Sequence, residues 1–169
     1  MRAIVLKSAA LVIGALVTLG PGVPRLKRLF TPQQQQPQQA QSVDALGDLR
    51  KEIEARNAVM TDGLRRGDLL GVARVYEDDG QIRGPQIRVK GRAAIDEYYT
   101  GIKGAKDWKL EVQEVGGTRE SAWEIGRSTL AQVNGDGQWH KSAVDFVMIW
   151  KRDPAGQLRV HLEIYNFAY

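Results

Sequence analysis

The sequence has 169 residues, 43% hydrophobic and 26% charged, which suits one compact domain plus some additional chain. It contains no cysteine, so disulfides, thiolate metal sites and cysteine nucleophiles are excluded. Five of the 24 basic residues and none of the 20 acidic ones lie before Asp44. The net charge of +4 therefore belongs to that N-terminal segment, and a near-neutral remainder gives no electrostatic case for a nucleic-acid partner.

Residues 1–20 carry Arg2 and Lys7 and then an apolar run from Ala9 to Leu19. That run is short for a membrane span and about right for the core of a signal peptide, so a signal peptide or membrane anchor is expected and export follows. A mitochondrial presequence is the alternative, because the segment is basic and free of acid. No small-x-small site precedes Pro21, and Arg25, Lys27 and Arg28 oppose translocation, so the segment also reads as one that contacts a membrane. Residues 21–43 are basic and then Gln/Pro-rich. "TPQQQQPQQAQS" has too little apolar surface to repay ordering and is predicted to be a disordered linker.

Residues 44–169 form the folded part. Leu46, Leu49, Ile53, Met60 and Leu64 mark one face of a long helix, with Asn57 as a polar gap in it. Gly67 and Asp68 end that helix, and Asp68 caps a second, short one that reaches Tyr76. "DDGQIRG" turns into a short strand, and "GRAAIDEYYTGIKG" predicts a third helix. After Trp108 the apolar period changes to two. Strands are predicted near 108–115, 121–133, 138–150 and 157–167, joined by turns including "NGDG" and "DPAG". The order ααβαββββ implies an α+β domain in which a curved antiparallel sheet wraps as a cone over N-terminal helices.

The turns set a register. If Asn134 pairs with Gly137 and Arg152 with Gln157, His161 lies beside Met148 and Trp123, Glu163 beside Phe146 and Ile125, and Tyr165 beside Val144 and Arg127. With Trp150, Ser142 and Thr129 these make an aromatic, apolar face set with a few polar groups, the makeup of a small-molecule pocket. In that arrangement His161 serves as a general acid or base, Glu163 meets a ligand hydroxyl or Arg127, and Trp123, Phe146, Met148 and Trp150 form the walls. The alternative is a buried Glu163–Arg127 ion pair that only satisfies itself. Tyr98 and Tyr99 could bring hydroxyls to the mouth, and Asn57, buried among apolar neighbours, demands a partner that a ligand could supply. The opposite face carries Val160, Leu162, Ile164, Val147, Ile149 and Leu130 with Asp145, Glu124 and Ser128. So apolar a second face needs a cover, most simply another copy of the sheet, so a homodimer is expected.

"GDLLGVARVYEDDGQI", "KGRAAIDEYY", "AWEIGR" and "FVMIWKRDPAGQLRVHLEIYN", in this order, resemble the nuclear transport factor 2-like superfamily over about residues 44–169. The family includes ketosteroid isomerases and SnoaL-like polyketide cyclases, and the SnoaL-like branch is the nearest in pattern. The resemblance implies a cone-shaped fold around an internal pocket. It places the ketosteroid isomerase base, a residue just before a Pro, on Gly84, the oxyanion Tyr on Met60, and the buried acid on Phe146 beside Asp145. None of the three can do that chemistry. The SnoaL-like "Asp-x-x-Asn" falls on Glu163 and Asn166, and that branch's Tyr and Trp fall on Phe146 and Trp150.

The function expected is a binding or accessory domain for a small apolar or carbonyl-containing ligand. The pocket would be lined by Asn57, Met60, Tyr98, Trp123, Arg127, Phe146, Met148, Trp150 and Tyr165, with His161 and Glu163 as candidate catalytic groups. Two alternatives stand beside it: a SnoaL-like enzyme performing cyclisation, hydration or isomerisation by acid/base chemistry, and a structural dimerisation module. No cofactor is expected. No metal is expected either, because this register keeps His140 far from His161.

Overall fold

The computed structural model describes residues 36–168 apart from positions 134 and 136. The expected leader at 1–20 and the first part of the linker lie outside the described residues. Helix α1 is Gln36–Arg66, so it begins inside the tract whose composition predicts disorder. Pro37 falls in the first turn, where its missing N–H costs little, and Gln and Ala extend an existing helix cheaply. Leu49, Ile53, Asn57, Met60 and Leu64 are buried along one face of α1. The helix stops at Gly67, whose φ of 75° needs glycine; the backbone N–H groups of Gly67 and Asp68 return to Leu64 O and Gly63 O. Asp68 then caps α2 (Leu69–Ala73), its Oδ1 accepting from Gly71 N at 2.8 Å. Among the described residues no helix is long and apolar enough to cross a membrane.

The strands are β1 (Tyr76–Arg83), β2 (Arg88–Lys90), β3 (Ala105–Gly117), β4 (Ser121–Val133), β5 (Trp139–Arg152) and β6 (Leu158–Phe167), with α3 (Arg92–Thr100) between β2 and β3. They form one sheet in the order β2-β1-β6-β5-β4-β3. Two details depart from the sequence reading: β2 is an additional short strand, and β1 runs parallel to β6, so the sheet is mixed. Tyr76 opens β1 instead of ending α2, because its ring is buried against the core.

The core lies between α1, α2 and α3 and one face of the sheet, and includes Ile53, Met60, Tyr76, Ile82, Ile95, Phe146, Met148, Trp150 and Val160. Arg50 anchors α1 to β3 through Val112 O (3.1 Å) and Gln113 O (2.8 Å), where a register shift between Val112 and Glu114 breaks the ladder. A bidentate pair of Arg152 with Glu52, at 2.7 and 2.8 Å, ties α1 to β5.

The hairpin register differs from the turn-based one. Val133 faces Trp139, which leaves an odd, five-residue connection where a two-residue turn was expected. That shift of one flips β4 relative to β5. Glu124, Gly126 and Ser128 therefore share the core-facing side with Met148, Phe146 and Val144. Trp123, Ile125, Arg127 and Thr129 turn to the other side. Between β5 and β6 the register shifts after Ile149, and His161 is the residue left over. Past that bulge Met148 faces Glu163 and Phe146 faces Tyr165.

Candidate functional site

Strand alternation puts Glu163 and Tyr165 on the inner face of β6, below Tyr98 and Tyr99 of α3. With Ser128 and Leu130 of β4, Ser142 and Val144 of β5, Trp108 of β3 and Leu64 of α1, they line a pocket of about 220 Å³. Its walls are mostly apolar and its polar groups are few and convergent, which is the makeup of a small-ligand site. The volume falls below the ~300–1,000 Å³ typical of drug-sized ligands, so the occupant it suits is small.

Glu163 is the chemical centre of the pocket. Its Oε2 accepts a hydrogen bond from the Tyr76 hydroxyl, and the Tyr76 and Tyr99 hydroxyls lie 2.8 Å apart. Tyr76 has one hydrogen and gives it to Glu163, so the chain runs from Tyr99 to Tyr76 to Glu163. Burial raises the Glu163 carboxyl to a pKa of about 7, and the Tyr76 hydrogen bond holds it from going higher. Burial likewise pushes both phenols well above their usual range, with the Glu163 charge adding to it, so they remain donors. Across the pocket, Trp108 Nε1 donates to Ser128 Oγ at 2.8 Å, leaving the serine hydrogen available to a ligand. A carboxyl poised near neutrality in an apolar pocket can donate or accept a proton.

Tyr165 explains the glycine at 84. A Cβ on Gly84 would lie 2.4 Å from Tyr165 Cζ and 2.6 Å from its hydroxyl oxygen. The Tyr165 ring therefore fills the space that a side chain at 84 would need. Tyr165 and Tyr98 line the same pocket.

Of the residues expected in the site, Glu163, Tyr98 and Tyr165 line this pocket and the others lie elsewhere. Met60, Phe146, Met148 and Trp150 are fully packed in the core. Asn57 is buried behind them, where Nδ2 donates to Glu124 Oε1 at 2.6 Å. Trp150 Nε1 donates to the other oxygen of Glu124 at 3.0 Å. Glu124 is completely buried, and burial raises it to about 7 despite both hydrogen bonds. Trp123 lies over Gly116 on the opposite side of β4. Arg127 pairs there with Asp145 at 2.8 Å, so it cannot be the partner of Glu163. His161, displaced by the bulge, is 2.6 Å from Glu77 Oε2 and does not line the pocket. One-residue differences in register account for Trp123, Arg127 and Glu124, and the bulge accounts for His161.

Sequence reasoning put Ser142 on the pocket face, where it lies, but missed Tyr76, Ser128 and Glu124 as inward-facing polar groups. The signal for Glu124 was Asn57: a buried amide on a helix face calls for a buried partner. The sequence also pointed to no metal ligands, whereas donor atoms of Glu77, Asp79 and His161 lie within 4.8 Å of one another.

No family model matches the sequence, and no curated protein matches it. Solved structures do match. A ketosteroid isomerase-like protein from Erwinia carotovora superposes with a TM-score of 0.61 at 19% identity, covering 70% of this chain and 95% of its own. An NTF2-like protein with a cystatin-like fold from Novosphingobium aromaticivorans gives 0.64 at 18% identity, covering 79% and 91%. A protein from Catenulispora acidiphila, in complex with S-DNPA, gives 0.58 at 15% identity, covering 72% and 94%. With its helices, its sheet order and these neighbours, residues 44–168 have the nuclear transport factor 2-like fold.

Proposed function

We propose that this domain binds a small, largely apolar molecule bearing a carbonyl or hydroxyl group, with Glu163 as the group that meets it. The observation that carries this reading is a carboxyl at the base of an aromatic pocket, held by Tyr76 and raised to about 7. At neutral pH such a carboxyl is divided between its two forms, so it can donate to a carbonyl oxygen or accept from a hydroxyl. Ser128 supplies a second polar contact on the facing wall.

Binding is tested by ligand-observed NMR and thermal shift on the full chain with a panel of hydrophobic carbonyl compounds, beside Glu163→Gln and Leu130→Trp. A saturable shift in the parent, weakened by Glu163→Gln and lost when Leu130→Trp fills the pocket, is the expected result, because a ligand that binds only the native state stabilises it. Binding that survives Leu130→Trp removes the pocket from the reading.

The same carboxyl favours a second reading, acid/base catalysis of cyclisation, hydration or isomerisation. Removing a general acid or base typically costs about 10²–10⁴ in rate. Turnover that follows one ionisation near neutrality and falls by that factor in Glu163→Gln supports an enzyme; a flat profile leaves binding alone. We also take the protein to be a homodimer through the outer sheet face, where Val147 and Ile164 are exposed, and to be exported by its N-terminal segment.

A further inference from the structure

We propose that Glu77, Asp79 and His161 form a site for a divalent first-row transition-metal cation of the Zn²⁺ or Co²⁺ class, outside the Glu163 pocket. The irregular pairing of β1 with β6 builds it. Tyr76 pairs with Val160 and Gln81 with Leu162, so β1 spends the four residues Glu77, Asp78, Asp79 and Gly80 opposite the single residue His161. Glu77 and Asp79, two apart, point to one side of that excursion, and the β6 bulge aims His161 at the same place.

The donors suit such a cation: one imidazole and two carboxylates are borderline ligands for Zn²⁺ and its neighbours, and three protein ligands leave a coordination position open. His161 Nδ1 and Glu77 Oε2 are already 2.6 Å apart, with a hydrogen between them that a cation would replace. Both side chains are largely buried, at 24% and 21% exposure, which fixes two of the three ligands. Asp79 is exposed and makes no hydrogen bond or ion pair among the described residues, so its carboxylate is free to close the last ångström or so that bonds of about 2.0–2.2 Å require.

Nearby guanidinium groups do not take the cation's place. Arg92 is bonded to Ala73 O, Tyr76 O and Glu77 O and to the carboxylates of Asp78 and Asp96. Arg159 is bonded to Asp153 and Arg74 O. Apart from His161, the carboxylates of Glu77 and Asp79 have no cationic partner among the described residues. A simple Glu77–His161 ion pair between β1 and β6 would have no use for Asp79, and that separates the two accounts.

Cobalt(II) is the probe, titrated into the full-length protein after chelator treatment, followed by visible absorption and displaced with Zn²⁺. One equivalent should bind with saturable d–d bands that disappear in His161→Ala, and Asp79→Asn should weaken binding at least tenfold. His140→Ala, which alters the other histidine, should change nothing. Asp79→Asn touches no bond of the folded chain, so its thermal stability should match the parent and its result stays interpretable if His161→Ala unfolds. No bands in the parent, or unchanged binding in Asp79→Asn, would overturn the site and leave an ion pair.

Discussion

On the helix side of β4, Glu124 is completely buried and holds Asn57 and Trp150 with its two oxygens. Three residues along the same strand, on the other side of the sheet, Arg127 is paired with Asp145 in solvent. Both acids have two good donors, yet their ionisation moves in opposite directions. Asp145 is held below the usual carboxylate range by the Arg127 hydrogen bond. Glu124 is pushed up to about 7, because desolvation outweighs what two neutral donors return. What decides an acid's behaviour here is whether its partner brings a charge and whether water reaches it. Glu163, whose donor is the neutral Tyr76 hydroxyl, belongs with Glu124.

The sharpest way to break this comparison is to remove a member of the buried side. Trp150→Ala deletes a fully buried ring and one of the two donors to Glu124, and should cost about 3–5 kcal/mol in urea unfolding. A loss below 1 kcal/mol would mean that the inner face is not packed as described.

A pH series tests the electrostatics directly. The folded state keeps a proton on Glu124 that the unfolded chain releases above its ordinary value of 4.5. This group's contribution to stability is therefore full below about pH 4.5 and is lost as pH rises from there through about 7, by about 3 kcal/mol. Glu163 acts in the same direction. Glu124→Gln should flatten much of that slope; an unchanged slope would place the titration elsewhere.

Within the pocket, Tyr76→Phe removes the hydrogen bond that holds Glu163 down. Its pKa should climb further above 7, by roughly one unit for a bond of this kind, in a carboxyl-detected NMR titration. A downward move would mean that Tyr76 is not its donor. The smallest effect belongs to the exposed pair. Arg127→Ala should leave the melting temperature of dilute, monomeric protein unchanged within error, since solvent-exposed ion pairs contribute little; a loss that grows with protein concentration would place this pair under the proposed homodimer.

Several elements were legible in the sequence because their causes are local. Apolar spacing marked α1 and α3, the Gly67–Asp68 break marked the boundary between α1 and α2, and period-two alternation marked β3 to β6 within a few residues. Glu163, Tyr98 and Tyr165 were also named from the sequence, and all three line the pocket. The β5–β6 expectation was off by two at Glu163, and an even shift preserves the face of every side chain. The β4–β5 expectation was off by one, and an odd shift exchanged Arg127 for Glu124 and Trp123 for Ala122.

By itself, then, the sequence determined the fold class, the element order apart from the short β2, and the acid on the last strand, since periodicity and turn chemistry act over neighbouring residues. Only the tertiary structure decided which residues meet. Connection length set the facing of β4, the bulge at His161 turned it from Glu163 toward Glu77, and the packing of Tyr165 left no room for a side chain at Gly84. Those outcomes depend on how distant strands fit together in one core, and no local pattern encodes that fit.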